Sequence, residues 1–160
     1  MEHAQAITLN AAITLTAMSR RTLWRRVTHG SIATVGHSPA ANKGRTMLAL
    51  CDVVNAATVA LDAEEIALVV RADEGDAQAQ ADAGAMFFNK AQYKSALFWL
   101  QKAAVQGNAD AMQWLGTCYA SGAGVERDDN LAVMWIAKAA SLGHVIARAQ
   151  MGRVLPSRSS

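Results

Sequence analysis

The sequence is poor in the residues that break or crosslink a chain. Two prolines in 160 residues, Pro39 and Pro156, leave nearly all of it free to form helix. Cysteine is as scarce. Cys51 and Cys118 lie far apart and match no metal-ligand or redox spacing, so both read as small buried apolar residues. His3, His29, His37 and His144 show no ligand spacing either, and neither a metal nor another cofactor is expected. No Ser/His/Asp or Cys/His constellation and no phosphate-binding glycine loop occurs. The acidic groups Asp128-Asp129 and Asp73-Glu74 with Asp76 fall at helix ends, where carboxylates favour the helix dipole. An enzyme is therefore the least expected class. The apolar run from Ala4 to Met18 contains Thr8, Asn10, Thr14 and Thr16, follows no basic residue, and precedes Arg20 and Arg21. That is the wrong charge order for a secretory signal, and the run is too short to span a bilayer. A cytoplasmic protein with no membrane partner is expected.

What the chain does have is alanine. Hydrophobic residues reach 52%, which favours a folded, helix-rich protein over a disordered one. Charge is unevenly placed. Residues 1–58 hold six Lys/Arg against Glu2 and Asp52, a balance of +4, and the remainder holds nine Lys/Arg against eleven Asp/Glu, a balance of −2. Two parts are expected, 1–58 and 62–160.

The second part repeats itself. Gly107-Asn108-Ala109-Asp110-Ala111 running on to Gly116 returns as Gly143-His144-Val145-Ile146-Ala147 running on to Gly152, 36 residues later. Gly75-Asp76-Ala77-Gln78-Ala79 running on to Gly84 precedes it by 32 residues. Between these lie Ala96, Trp99, Lys102, Ala103 and Ala104, with images Ala132, Trp135, Lys138, Ala139 and Ala140. Ala96, Trp99, Leu100, Ala103 and Ala104 make one apolar helical stripe, which Ala132, Trp135, Ile136, Ala139 and Ala140 reproduce. The partner helices, about 77–88 and 109–120, carry small residues at matched places, so two backbones can approach closely. Trp99, Trp114 and Trp135 are expected in the core, with one of them partly exposed in a groove. Asp62 with Glu65 reads as a capping box opening a helix to about Ala72 that caps the array, with Ile66, Val69 and Val70 inward. The last helix, from Val145 to about Val154, should turn Ile146, Ala149 and Val154 inward.

The second repeat carries Ala111, Gly116, Gly122, Gly124, Val125, Asp128, Ala132, Trp135, Lys138, Ala139, Ala140 and Gly143, which closely resembles the consensus of Sel-one-like, tetratricopeptide-related repeats. The first repeat lacks the Gly-x-Gly-Val loop. The resemblance covers about half the chain and implies an array that presents a concave surface to a partner protein or to a second copy of itself.

The first part reads as two short helices and a hairpin. Asn10 is a fair N-cap for a helix from Ala11 to about Leu15. Ser19 caps a second helix from Arg20 to about His29, ended by Gly30. On the second helix Leu23 and Val27 share the inner face, Arg21 and Arg25 lie opposite with Thr28 near them, and Thr22 and Trp24 flank. Residues 31–35 and 45–50 are strand-like around the tip 36–44, and Cys51 to about Val59 returns to helix. Met18-Ser19-Arg20-Arg21-Thr22-Leu23-Trp24-Arg25-Arg26-Val27 followed by Gly30 resembles the MerR-like and excisionase-like winged helix family over residues 6–57, with Ile13 as a departure. That resemblance implies double-stranded DNA as a partner, touched by Arg20, Arg21, Thr22, Trp24, Arg25 and Thr28, with Lys43 and Arg45 on the wing. No effector domain of the MerR regulators follows, so sensing of a metal or drug is not implied. The arginines also fit a plain solvated face, or a winged helix turned to protein contacts. The expected fold is mainly α: a small winged helix-turn-helix and then an α-α repeat array. The expected function is a DNA-binding adaptor or transcriptional regulator, with a protein-only scaffold as the alternative.

Overall fold

A computed structural model describes residues 5–37 and 46–154, and the chain divides into two compact units, Met1–Asp76 and Ala77–Ser160. Each folds around its own core.

In the first unit, β1 (Ala6–Thr8) runs straight into α1 (Leu9–Thr16), and α2 (Arg20–Thr28) follows after a three-residue turn. The cap of α1 is Thr8, whose hydroxyl accepts from the Ala11 N–H at 3.2 Å. Asn10, expected in that role, lies inside the helix and accepts from Arg20 Nη2 at 2.7 Å, tying α1 to α2. Ala17 ends α1 in the left-handed region, with φ 51°. Ser19 caps α2 as expected, accepting from the Thr22 N–H at 3.1 Å. Then come β2 (Thr34–His37), β3 (Thr46–Ala49) and α3 (Leu50–Asn55). The sheet order is β1-β3-β2, antiparallel throughout, with Ile7 opposite Leu48. Ile7, Leu15, Leu23, Ile32, Leu48 and Val53 fill the core, while Val27 is only half-buried. The strand β1 was not expected, because three residues at a sheet edge leave no alternation to read. The expected wing tip, with Lys43 and Arg45, lies outside the described residues. Cys51 was expected in the core; it is exposed on α3, whose inward face is carried by Leu50 and Val53 instead.

The helix α4 (Ala63–Glu74) opens with the expected capping box. Glu65 N–H donates to Asp62 and Asp62 N–H donates to the Glu65 carboxylate. Val69 is buried, and Ile66 and Val70 are half-buried. Its other end departs from expectation. Asp73 is buried and accepts from both the N–H and the hydroxyl of Thr8, each at 2.7 Å. A carboxylate assigned to end-of-helix duty is thus a tie to β1, and the helix expected to cap the array is part of the first unit. Divided at residue 76, the charges read differently. Residues 1–76 hold seven Lys/Arg and eight Asp/Glu, a balance of −1, and residues 77–160 hold eight against five, a balance of +3. The acidic character ascribed to the array belongs to α4 and the residues beside it.

The second unit is a helical repeat array: α5 (Ala77–Asn89) pairs with α6 (Tyr93–Val105), α7 (Ala109–Ser121) pairs with α8 (Asp129–Ser141), and α9 (Val145–Val154) follows α8. Close approach sets the pairing. A Cβ on Gly84 would fall 2.5 Å from Leu100 Cγ, and one on Gly116 would fall 2.5 Å from Ile136 Cγ1. Trp99, Phe87, Leu100 and Leu115 are fully buried. The Gly-x-Gly-Val loop of the second repeat folds back onto the first. Gly124, at φ 74°, sits where a Cβ would lie 2.8 Å from Tyr93 Cβ at the start of α6. Ile146 and Ala149 do not turn inward as expected; both are exposed, Ile146 at 61%, and the equivalent of Ile146 in the second repeat, Asp110, is exposed as well. The side chain of Val154 lies outside the description.

Candidate interaction surfaces

On the first unit, a shallow hollow of about 470 Å³ runs along α2 and is lined by Arg21, Thr22, Trp24, Arg25 and Thr28. Five of the expected contact residues are therefore brought to one surface. Trp24 is 42% exposed, so the indole is available rather than spent on packing. Two hydroxyls are engaged locally: Thr22 shares a 2.9 Å bond with Ser19, and Thr28 donates to the Arg25 carbonyl at 2.9 Å. Arg20 does not line the hollow and holds Asn10. Lys43 and Arg45 are outside the described residues, and among the described residues the hollow is lined by α2.

On the second unit, the first helices of successive repeats, α5 and α7, touch side by side. Polar side chains link them in register. Gln78 Nε2 donates to Asp82 at 3.0 Å and to Asp110 at 3.3 Å, while Asn108 Nδ2 donates to Gln78 Oε1 at 3.0 Å. One repeat on, His144 Nε2 lies 3.3 Å from Asp110 Oδ1. Asn108 and His144 are equivalent positions, and each caps its own helix, accepting from Ala111 N–H at 2.8 Å and from Ala147 N–H at 3.1 Å. His144 Nδ1 accepts there, so Nε2 carries the proton toward Asp110. Each cap thus reaches back to a side chain two positions into the preceding repeat's first helix. The ladder escaped sequence reading, although the offset between equivalent residues is its signal: a donor at the cap meets an acceptor at the second helical position.

Beside this ladder Trp114 occupies the place in α7 that Asp82 has in α5. It is half-buried, with its ring 5.1 Å from Phe88, which in turn meets Tyr93 edge-on at 5.4 Å. Trp99 is the buried core tryptophan, whereas Trp135 is half-buried under the Lys138 ammonium, 4.6 Å from the ring centroid. At the start of α8, Asp128 caps, and Arg127 grips Asp129 through two bonds of 3.0 and 3.1 Å, holding that carboxyl below its usual range. Among the described residues no cluster of metal-ligating side chains occurs, and no helix is long and apolar enough to cross a membrane.

The Sel1 repeat family model matches residues 77–108 and 109–144, which is 68 of the 160 residues. The boundary at 108/109 coincides with the Asn108 cap. No curated protein matches the chain. Solved structures similar to it include the following two. One is a protective antigen present in uropathogenic Escherichia coli strains and displaying an SLR fold, 35% identical over 60% of this chain and 22% of that one, with a TM-score of 0.52. The other is a Sel1 repeat protein from Oxalobacter formigenes, 37% identical over 55% of this chain and 27% of that one, with a TM-score of 0.49. This chain thus spans about a quarter of the length of these relatives. The second unit is a helical repeat array that contains two matches to the Sel1 repeat and resembles the SLR fold. None of these similarities concerns DNA.

Proposed function

We propose that this chain is a protein-binding scaffold, and that the α5–α7–α9 face of its array holds a partner segment. The observation that carries this reading is Trp114, a half-exposed aromatic braced by Phe88 and set next to Asp82 and Asp110, which the ladder fixes in place. An aromatic anchor beside pre-ordered polar groups is the composition of an interaction hot spot, because little side-chain freedom remains to be lost on binding. The two carboxylates favour a partner segment with a basic or amide donor next to an apolar residue. The test is cross-linking and recovery of partners by the full chain and by Trp114→Ala and Asp110→Lys variants whose circular dichroism matches wild type. Selective loss of one recovered protein from both variants supports the reading. Identical recovery from all three chains sinks it.

A second reading concerns the first unit, and the α2 hollow favours it. In this reading α1, α2 and the β2–β3 hairpin form a winged helix-turn-helix that contacts double-stranded DNA. Arg21 and Arg25 meet phosphates or guanine edges, Trp24 lies against the backbone, and Lys43 and Arg45 come from the wing. So few contacts give weak, salt-sensitive binding unless a second copy or a partner adds to them. Anisotropy of a mixed-sequence duplex at two salt concentrations decides the matter, since unchanged affinity in Arg21→Ala/Arg25→Ala removes this reading. The α2 surface then belongs to protein contacts.

A further inference from the structure

The helices α5 and α7 bring two carboxylates together without a cation between them. Gln78 Nε2 donates to Asp82 Oδ1 at 3.0 Å and to Asp110 Oδ2 at 3.3 Å, so one nitrogen is shared by both groups. Gln78 Oε1 accepts from Asn108 Nδ2, which fixes that amide and with it the spacing of the acids. A neutral amide fills two acceptor positions but offsets neither charge. The third neighbour is His144, whose Nε2 lies 3.3 Å from Asp110 Oδ1 while its Nδ1 accepts from the Ala147 N–H. Residues 77–160 hold eight Lys/Arg against five Asp/Glu, yet among the described residues no lysine or arginine pairs with Asp82 or Asp110.

An aromatic ledge begins beside these acids. Trp114 stands one turn beyond Asp110 on α7, and residues four apart on a helix face the same way. Its indole leads 5.1 Å to the Phe88 ring, and Phe88 leads 5.4 Å to Tyr93. Trp114 and Phe88 are half-buried and Tyr93 is exposed, whereas Trp99 is fully buried in the core. Ledge and carboxylates both lie within the two complete repeats. Flat aromatic faces next to a pair of unneutralised acids specify their occupant by shape and by charge.

We propose that this strip receives an arginine of a partner protein, an inference that rests on the reading of the α5–α7–α9 face given above and names what that face selects. The guanidinium lies flat on the Trp114 indole and turns its edge N–H groups to Asp110 and to Asp82 Oδ2, an oxygen that takes no bond among the described residues. A large apolar side chain two residues away in an extended segment, about 7 Å distant, reaches Phe88 and Tyr93. Lysine fits less well, because a compact ammonium does not stack on the ring and fork between two carboxylates at once. Asparagine or glutamine brings donors but no charge to set against the pair of acids.

The test titrates the full chain with acetyl-Arg-Ala-Leu-amide and follows the indole N–H signals of Trp24, Trp99, Trp114 and Trp135 by NMR, with Trp114→Phe identifying the Trp114 signal. A saturable shift of the Trp114 signal, with buried Trp99 unmoved, is expected. Replacing the peptide's arginine by lysine weakens binding about fivefold or more, and replacing it by citrulline, which keeps the shape and loses the charge, abolishes binding. Asp82→Asn keeps an acceptor for Gln78 and weakens binding of the arginine peptide about tenfold or more. No saturable shift of the Trp114 signal, equal affinity for the lysine or citrulline peptide, or unchanged affinity in Asp82→Asn overturns the proposal. Such a failure leaves the wider reading in place where Trp114→Ala still loses a recovered partner, whereas equal recovery by wild type and Trp114→Ala removes both. The proposal is also overturned if Trp114→Ala converts a dimer to a monomer by elution volume, since a second copy then occupies the strip.

Discussion

Three glycines in one register make opposite predictions. In Gly116→Ala the new Cβ would fall 2.5 Å from Ile136 Cγ1 and 3.1 Å from the Ala132 carbonyl, against a carbon–carbon contact distance of about 4 Å. Ile136 must shift by more than an ångström, and the Ala132 backbone sets a limit on how far α7 and α8 can part. Overpacking of this kind costs about 1–3 kcal/mol, and the better helix propensity of alanine returns roughly 1 kcal/mol. The net loss is up to about 2 kcal/mol, which is up to roughly 15 °C in melting temperature for a unit of this size. Gly84→Ala should behave alike, since Leu100 Cγ and Cδ2 both lie at 2.5 Å from the added atom. Gly152→Ala meets nothing, so only propensity acts, and the unit gains up to about 1 kcal/mol. Urea denaturation followed by tryptophan emission measures all three in a Trp24→Phe background, where Trp99, Trp114 and Trp135 report the second unit. If Gly152→Ala destabilises as much as Gly116→Ala, Gly152 is packed and the contrast between the three glycines is wrong.

Three other perturbations test other links. Asp73→Ala leaves the buried Thr8 N–H and hydroxyl without their acceptor, at a cost of about 3 kcal/mol, and hydrogen exchange should quicken over residues 6–16 and 63–74 while α7 and α8 keep their protection. An effect below about 0.5 kcal/mol would mean that the tie is ornamental. Burial pushes the Cys118 thiol up to about 11, so iodoacetamide at pH 8 should modify exposed Cys51 and spare Cys118 until denaturant is added, and equal labelling of both contradicts the packing. His144→Ala removes the cap of α9 and its tie to Asp110, costing about 1 kcal/mol, whereas His144→Asn keeps the cap and most of the stability. Equal loss in both variants would show that capping is not what His144 does.

The repeats were legible because close helix packing writes small residues at a fixed interval, and Gly84, Gly116, Ala96 and Ala132 stand where that geometry demands them. Caps were legible for the same kind of reason. Asp62, Ser19 and Asp128 each satisfy a backbone donor three residues on, a local rule that needs no knowledge of the fold. What stayed hidden was non-local. Asp73 looks like any carboxylate near a helix end, and nothing nearby announces that Thr8, 65 residues away, supplies its two donors. That pair moves α4 into the first unit and removes the acidic charge credited to the array. Ile146 is apolar where the earlier repeats place Gln78 and Asp110, and neither of those is buried, so its hydrophobicity misleads. Helical spacing alone brings Arg21, Thr22, Trp24, Arg25 and Thr28 to one surface, but it says nothing of their local ties. Arg20 belongs to Asn10, and the hydroxyls of Thr22 and Thr28 are occupied within their own helix.

The central claim, that the α5–α7–α9 face of the array is where a partner sits, is tested most directly by hydrogen exchange. The full chain is compared alone and in complex with the protein cross-linked to it. Slowed exchange concentrated in 77–89 and 109–121, the helices that carry Gln78, Asp82, Asp110 and Trp114, is the predicted result. Slowing confined to 20–28, with both repeats unchanged, would contradict it and make α2 the working surface of the molecule.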